Sequence, residues 1–222
     1  LVAMFSHDFR NPLTTILLSN NLLSEQGHRL DEERRLVHFN RIEVSARKLV
    51  QMLDDVLLVA QLETGKLDLK LEPLNVGLFL EQIVESFQAI HGEKYPIFFE
   101  SHITTTLLMD RRLLHPIAAN LISNAIKYSA PGGAVHILLD DYEGQCRLIV
   151  QDQGIGIPDA DQANLFEAFQ RSSNVGDVPG TGLGLALVKQ AVTLLRGSVH
   201  FESQVGIGTT MTVMLPHQAQ PA

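Results

Sequence analysis

Near its start the chain reads Ser6-His7-Asp8-Phe9-Arg10-Asn11-Pro12. An imidazole on a helical pattern, with a carboxylate beside it to fix its tautomer, is a candidate nucleophile that is largely neutral near pH 7. Pro12 has no N–H to offer the carbonyl of Asp8 and its ring crowds that turn, so the helix is expected to bend or loosen there. Against this stands the ordinary reading of a helical histidine as a surface or capped core residue. The chain has nine of them, and the other eight (His28, His38, His91, His102, His115, His136, His200 and His217) show no metal-ligand spacing.

Three stretches of the second half could hold a ligand. Asn120, Asn124 and Lys127 fall at i, i+4 and i+7 and so share one helix face. Every amphipathic helix has a polar stripe, but amide oxygens are hard neutral ligands suited to Mg²⁺, and a lysine beside them would balance phosphate charge. Asp152-Gln153-Gly154-Ile155-Gly156 places an acid at the end of an apolar strand. Such a carboxylate can accept a hydrogen bond from an exocyclic amine like that of adenine, and the two glycines let backbone approach a flat ligand; a tight turn is the alternative. Gly180-Thr181-Gly182-Leu183-Gly184 opens a helix, where free N–H groups and the dipole favour a phosphate. It is no P-loop, because no Gly-Lys-Ser/Thr follows, and no dinucleotide fingerprint, because Ser172 to Pro179 before it is polar loop rather than strand. That loop, with Gly176 and Pro179, is a candidate lid over a bound nucleotide.

The elements that would position these groups fall into two textures. Phe5 to about Leu23 has helical spacing, then a polar break from Ser24 to Glu33 contains Gly27 and a cap at Asp31. Phe39, Ile42, Ala46, Leu49, Leu53, Val56 and Ala60 alternate steps of three and four, a heptad seam that two helices of one chain cannot cover alone. A homodimer closing a four-helix bundle is therefore expected. Gly65 reads as the helix stop. Leu67, Leu69 and Leu71 then alternate with charged residues as a half-buried strand ended by Pro73. Further on, helices are expected over Val76–Ala89, Arg111–Tyr128 and Gly184–Leu195. Strands are expected over Pro96–Glu100, Thr105–Met109, Val135–Asp140 and Cys146–Gln151, with a closing hairpin from Ser198 to Leu215. Helices interleaved with antiparallel strands make an α/β sandwich. The division is thus 1–66, a helical hairpin, and 67–222, a mixed domain.

Composition narrows the function. A net charge of −8 argues against nucleic acid as a partner. No apolar run is long enough to span a bilayer, so this segment is expected to make no direct membrane contact. One cysteine, Cys146, fits a buried thiol in a reducing compartment. Absence of an initiator Met suggests a piece cut from a longer protein.

Together and in this order, the stretches resemble the sensor histidine kinases of two-component signalling. Ser6 to Pro12 is similar to that family's H box, Asn120 to Tyr128 to its N box and Asp152 to Gly156 to its first glycine box. Phe166-Glu167-Ala168-Phe169 resembles the F box, Gly180 to Gly184 the second glycine box, and Gly206 to Pro216 the closing strand, with Met211 where a phenylalanine is usual. The resemblance implies a dimeric phosphoacceptor hairpin joined to a Bergerat-type ATP-binding domain, located in the cytoplasm or tethered to a membrane through segments upstream. It implies that Asn120 and Asn124 hold Mg²⁺, that Lys127, Tyr128 and Arg171 face the ATP phosphates, that Asp152 reads adenine and that Thr209 assists at the base edge. His7 would take the γ-phosphoryl through Nε2, with Asp8 holding Nδ1–H, and pass it to an aspartate on the receiver domain of a response regulator. Related ATPases (DNA gyrase, mismatch-repair and heat-shock chaperone proteins) carry a glutamate where this helix has Asn120, and an amide cannot activate water as a general base. Asn11, one turn after His7, either orients water against a phosphorylated regulator or is a plain surface residue beside a proline. The alternative to a kinase is a non-catalytic dimerisation and nucleotide-sensing module, a pseudokinase. A third reading is a chaperone-type ATPase.

Overall fold

The computed structural model describes residues 2–64, 67–176, 178 and 180–217, apart from the side chains of 2–8 and 63. The chain forms two compact units that part within the second helix, near Leu58.

The first unit is a helical hairpin. α1 (Val2–Gln26) runs on through Pro12, which is itself buried. A 3₁₀ turn (Gly27–Arg29) reverses the chain into α2 (Glu32–Glu63). Asp31 caps α2 as the sequence suggests: its Oδ1 accepts from the Arg34 N–H at 2.8 Å, which satisfies one orphan donor of the first turn. A polar contact joins the two helices, His38 Nδ1 lying 3.5 Å from Ser19 Oγ. The heptad seam divides in two. Ile42, Leu49 and Val56 are half-buried, whereas Ala46 and Ala60 are exposed and Phe39 and Leu53 remain 51% and 52% exposed. No helix among the described residues is long and apolar enough to cross a membrane.

The second unit is a two-layer sandwich. Its five-stranded sheet has the order β2-β4-β5-β7-β6, where β2 is Ile97–Ser101, β4 Val135–Tyr142, β5 Gln145–Gln151, β6 Ser198–Gln204 and β7 Gly208–Pro216. Among the described residues only β2 and β4 pair in parallel. A small antiparallel ribbon of β1 (Glu72–Asn75) and β3 (Thr106–Met109) stands apart. α3 (Val76–His91), α4 (Arg111–Tyr128) and α6 (Gly184–Leu194) supply the helical layer, and α5 (Asp159–Gln162) is a single turn. Period-two burial along β5 shows the division of faces. Cys146, Leu148 and Val150 are buried, and Arg147 and Ile149 between them are only partly covered. Burial pushes the Cys146 thiol up to about 12, with Asp141 and Asp140 adding to it, so this sulfur behaves as a small core side chain. On α4, Leu114, Ile117, Ala118, Leu121, Ile122 and Ala125 are all buried, the 3.6-residue stripe that faces a core.

One element differs from its expectation. Residues 67–71 join no ladder, and the strand begins at Glu72 and includes Pro73, which the sequence pattern makes a terminator. The reason lies in Asp110. Its Oδ2 accepts the Lys70 N–H at 2.8 Å, while Arg112 Nη2 donates to the Asp68 carbonyl at 2.9 Å, so this extended stretch is held by two side chains. Asp110 also caps α4 through the Arg112 N–H at 3.0 Å. Burial alone would raise its carboxyl, but hydrogen bonds from Arg112 and Lys70 outweigh that and hold it below the usual carboxylate range. The expected helix stop at Gly65 lies outside the described residues.

Candidate functional site

The polar edge of α4 carries Asn120, Asn124, Lys127 and Tyr128, each half-buried. Asn120 donates Nδ2–H to the Pro116 carbonyl at 2.8 Å, which orients the amide. Its Oδ1 turns toward α6: a methyl group on Gly184 would lie 2.4 Å from that oxygen. Glycine at 184 is thus what lets the start of α6 abut the asparagine. Leu183 at the N-cap offers no side-chain cap to that helix start, where backbone N–H groups and the dipole favour an anion. Leu183 precedes it with its side chain almost wholly buried, so any part it takes toward a ligand is through backbone. Lys127 Nζ donates to Tyr128 Oη at 2.8 Å, and its ammonium stands 4.5 Å from the centre of that ring. Burial raises the Tyr128 hydroxyl pKa, opposed by the nearby charge of Arg171.

Asp152 follows directly on β5. Its Oδ1 accepts from the Gly154 N–H at 2.9 Å and the Thr209 N–H at 3.1 Å. Burial raises the carboxyl pKa and outweighs the lowering effect of those two bonds, lifting it to about 6. The backbone around it is close-set. A methyl on Gly154 would lie 2.4 Å from the Tyr128 carbonyl, and one on Gly156, whose φ is +64°, would lie 2.1 Å from the Gln204 carbonyl. Ile155 N–H also donates to the Tyr128 carbonyl at 3.1 Å, so the end of α4 and the first glycine stretch are one construction.

The candidate lid is pinched at its base, where the Phe169 N–H donates to the Gly182 carbonyl at 2.9 Å. Phe169 has φ +67° and Gly182 φ +69°. Arg171 Nη2 donates to the Val178 carbonyl, while its Nε is buried without a partner among the described residues. Asp161 Oδ2 accepts from both the N–H and the hydroxyl of Ser173, at 2.7 and 2.8 Å.

The structure therefore brings Asn120, Asn124, Lys127, Tyr128, Asp152, Gly154, Gly156, Arg171, Gly182, Gly184 and Thr209 into one unit. Gly180 and Thr181 group with the helical unit. On α1, the side chains of His7 and Asp8 lie outside the described residues, and Asn11 is exposed, its carbonyl accepting from Thr15 Oγ1 at 3.1 Å. Among the described residues no cluster of three histidines, cysteines or carboxylates could hold a metal. The donors on offer are the amide oxygens of Asn120 and Asn124. Mg²⁺ takes one or two protein oxygens and completes its shell from phosphates and water, so these residues fit it only alongside a phosphate ligand. Sequence patterns mark Phe169 only as the last residue of the stretch that resembles the F box, and they say still less of Asn174 and Ser203. Ser203 leaves a trace as a hydroxyl at the inward position that Val199 and Phe201 also occupy on β6.

Comparison with known proteins agrees with this construction. Residues 1–65 match the family model of the His Kinase A (phospho-acceptor) domain, and residues 109–219 that of the histidine kinase-, DNA gyrase B- and HSP90-like ATPases. The circadian input-output histidine kinase CikA of Synechococcus elongatus is 34% identical over 98% of this chain and 30% of its own length. The sensor protein DivL of Caulobacter vibrioides is 35% identical over 99% of this chain and 28% of its own. This chain thus spans about a third or less of such relatives. Among solved structures, the histidine kinase AdeS of Acinetobacter baumannii superposes with a TM-score of 0.74 at 23% identity, covering 96% of this chain and 98% of that one. Full-length ShkA, solved in complex with AMPPNP, gives 0.73 at 28% identity over 99% of this chain and 46% of its own.

Proposed function

The chain belongs to the sensor histidine kinases, and from that premise we propose that it is the transmitter core of one, in which 67–222 binds ATP and 1–66 carries the phosphoacceptor His7. The observation that supports this most directly is the abutment of Asn120 on the start of α6 across Gly184. An amide oxygen beside a helix N-terminus is the pairing that a magnesium-bound polyphosphate would need.

In this reading Asp152 Oδ2 accepts from the adenine amino group, Thr209 stands at the base edge, and the glycines at 154 and 156 admit the ring. Lys127, Tyr128 and Arg171 face the phosphates. Asn120 and Asn124 would hold Mg²⁺, which offsets charge on the departing diphosphate. Neutral His7 attacks the γ-phosphorus through Nε2. The bond from phosphorus to the β–γ bridging oxygen breaks and ADP leaves. Asp8 holds Nδ1–H and balances the charge on the ring. The resulting phosphoramidate then passes to an aspartate of a response regulator. The exposed half of the α2 seam, Phe39 and Leu53 above all, supports a homodimer closed through the hairpin.

Incubation with γ-labelled ATP tests the reading. Label retained in alkali, lost in acid and absent from His7→Gln is the expected result. Acid-labile label on His7→Gln overturns it; no label at all on the wild type favours the pseudokinase, and steady phosphate release favours an ATPase.

A further inference from the structure

One peptide group in the second unit is gripped from both sides by residues that the proposed mechanism does not use. The carbonyl of Gly156 accepts from Asn174 Nδ2 at 2.9 Å, and the N–H of the same peptide, on Ile157, donates to Ser203 Oγ at 2.9 Å. Asn174 belongs to the lid and Ser203 to β6. Ser203 Oγ lies 2.8 Å from Thr209 Oγ1 and 3.1 Å from the Gly208 carbonyl. Thr209 in turn donates its N–H to Asp152.

A hydroxyl has one proton. With the Ile157 N–H already donated to it, Ser203 can give that proton to Gly208 or to Thr209 but not to both. When Ser203 donates to Thr209, the Thr209 proton is released toward the base edge; when Ser203 donates to Gly208, Thr209 must point its proton back. A peptide that accepts at one end and donates at the other is polarised by each partner, so a stronger bond from Asn174 strengthens the Ile157–Ser203 bond. Gly156 holds the plane in this attitude at φ +64°, where an added methyl would strike the Gln204 carbonyl.

We propose that Asn174 and Ser203 are positioning residues that clamp the Gly156–Ile157 peptide between the lid and the base edge, so that capture of adenine and setting of the lid are one coupled event. This rests on the reading of the site as one for ATP.

The test is a double-mutant cycle on the full chain, with ATP affinity measured by titration calorimetry for wild type, Asn174→Ala, Ser203→Ala and the double variant. Each single change is expected to weaken binding about five- to tenfold, and the double to be no weaker than the worse single. Ser203→Thr, which keeps the hydroxyl, is expected within about twofold of wild type. A second readout uses adenosine, which has no phosphate to draw the lid. It should slow proteolytic cleavage within residues 172–180 of the wild type and of neither alanine variant. Losses that multiply in the double variant, or adenosine protection that survives in both singles, overturn the inference and leave the ATP reading standing. A wild type that binds no ATP overturns both.

Discussion

Replacing Asp152 by asparagine separates what the carboxylate does for binding from what it does to stability. Burial raises this group from 3.8 to about 6, so between those values the folded chain holds a proton that the unfolded chain has released. Folded stability therefore falls as pH rises through that window, and the loss persists above it. Two pH units correspond to about 3 kcal/mol at most; because the group keeps some access to water, about 1–2 kcal/mol is the expected net cost at pH 7.5. The substituted amide would keep an oxygen to accept from Gly154 and Thr209 while removing the charge. Asp152→Asn should then melt about 3–8 °C above wild type at pH 7.5 and together with it at pH 4, where the acid is already neutral.

Binding should move the opposite way. The amide turns an N–H donor toward the adenine amino group, which is itself a donor, and the charge-assisted bond is lost. The two effects together cost about 3 kcal/mol, or a hundredfold in ATP affinity. Wild-type affinity should weaken about tenfold between pH 7 and pH 5 as the carboxylate protonates, while the asparagine variant stays flat over that range. Thermal denaturation and calorimetric titration at three pH values measure both effects. A variant destabilised equally at pH 4 and pH 7.5, or one that binds ATP as tightly as wild type, refutes the argument.

Gly184→Ala would place a methyl 2.4 Å from Asn120 Oδ1; since that amide is tied to Pro116, α6 must shift, and ATP affinity in the presence of magnesium should fall at least thirtyfold, with adenosine affinity changed less than threefold. Leu53→Glu sets a carboxylate into the exposed half of the heptad seam and should turn a dimer into a monomer at micromolar concentration, read by sedimentation; an unchanged mass removes the seam from the interface. Asn11→Ala should keep autophosphorylation within twofold and slow dephosphorylation of a phosphorylated regulator at least tenfold, measured by loss of label from the regulator; an unchanged rate returns Asn11 to an ordinary surface position.

How much of this can be read from sequence depends on whether the controlling interaction is local. α4 is found over Arg111–Tyr128, the expected range, because its cap, its inner stripe and its end all lie within its own residues or directly beside them. The β4–β5 turn is likewise legible, with Glu143 and Gly144 at φ +53° and +73° in a two-residue hairpin loop. The stretch at 67–71 has the alternation of a strand but is none, because Asp110, some forty residues away, takes the hydrogen bond a neighbouring strand would have taken. In the candidate site, residue types mark Asn120, Asp152 and the glycines, but not why each glycine is there. Gly184 is required by Asn120, and Gly156 by Gln204, pairs that meet only in three dimensions. The backbone of Phe169 is invisible to sequence: a positive φ at an aromatic residue follows from the closing of a loop on Gly182, which no local preference encodes.

The groups at the phosphate end bear on why a histidine should be needed. On the proposed reading they are two amides, a lysine, an arginine, a tyrosine and the N–H groups that open α6. An amide takes no proton from water, and burial holds the Tyr128 hydroxyl more firmly protonated than a free phenol. Asp152 is the one carboxylate among the residues proposed to bind nucleotide, and its Oδ1 is committed to Gly154 and Thr209 at the base end. On that reading these groups stabilise charge on the phosphates, and none of them can prepare water for attack. A nucleophile that arrives already competent, as a neutral imidazole does, gains everything the site offers the leaving diphosphate, whereas water gains only part of it. Substituting a glutamate at Asn120 would supply the missing base, and the expected consequence is phosphate release that rises at the expense of label on His7.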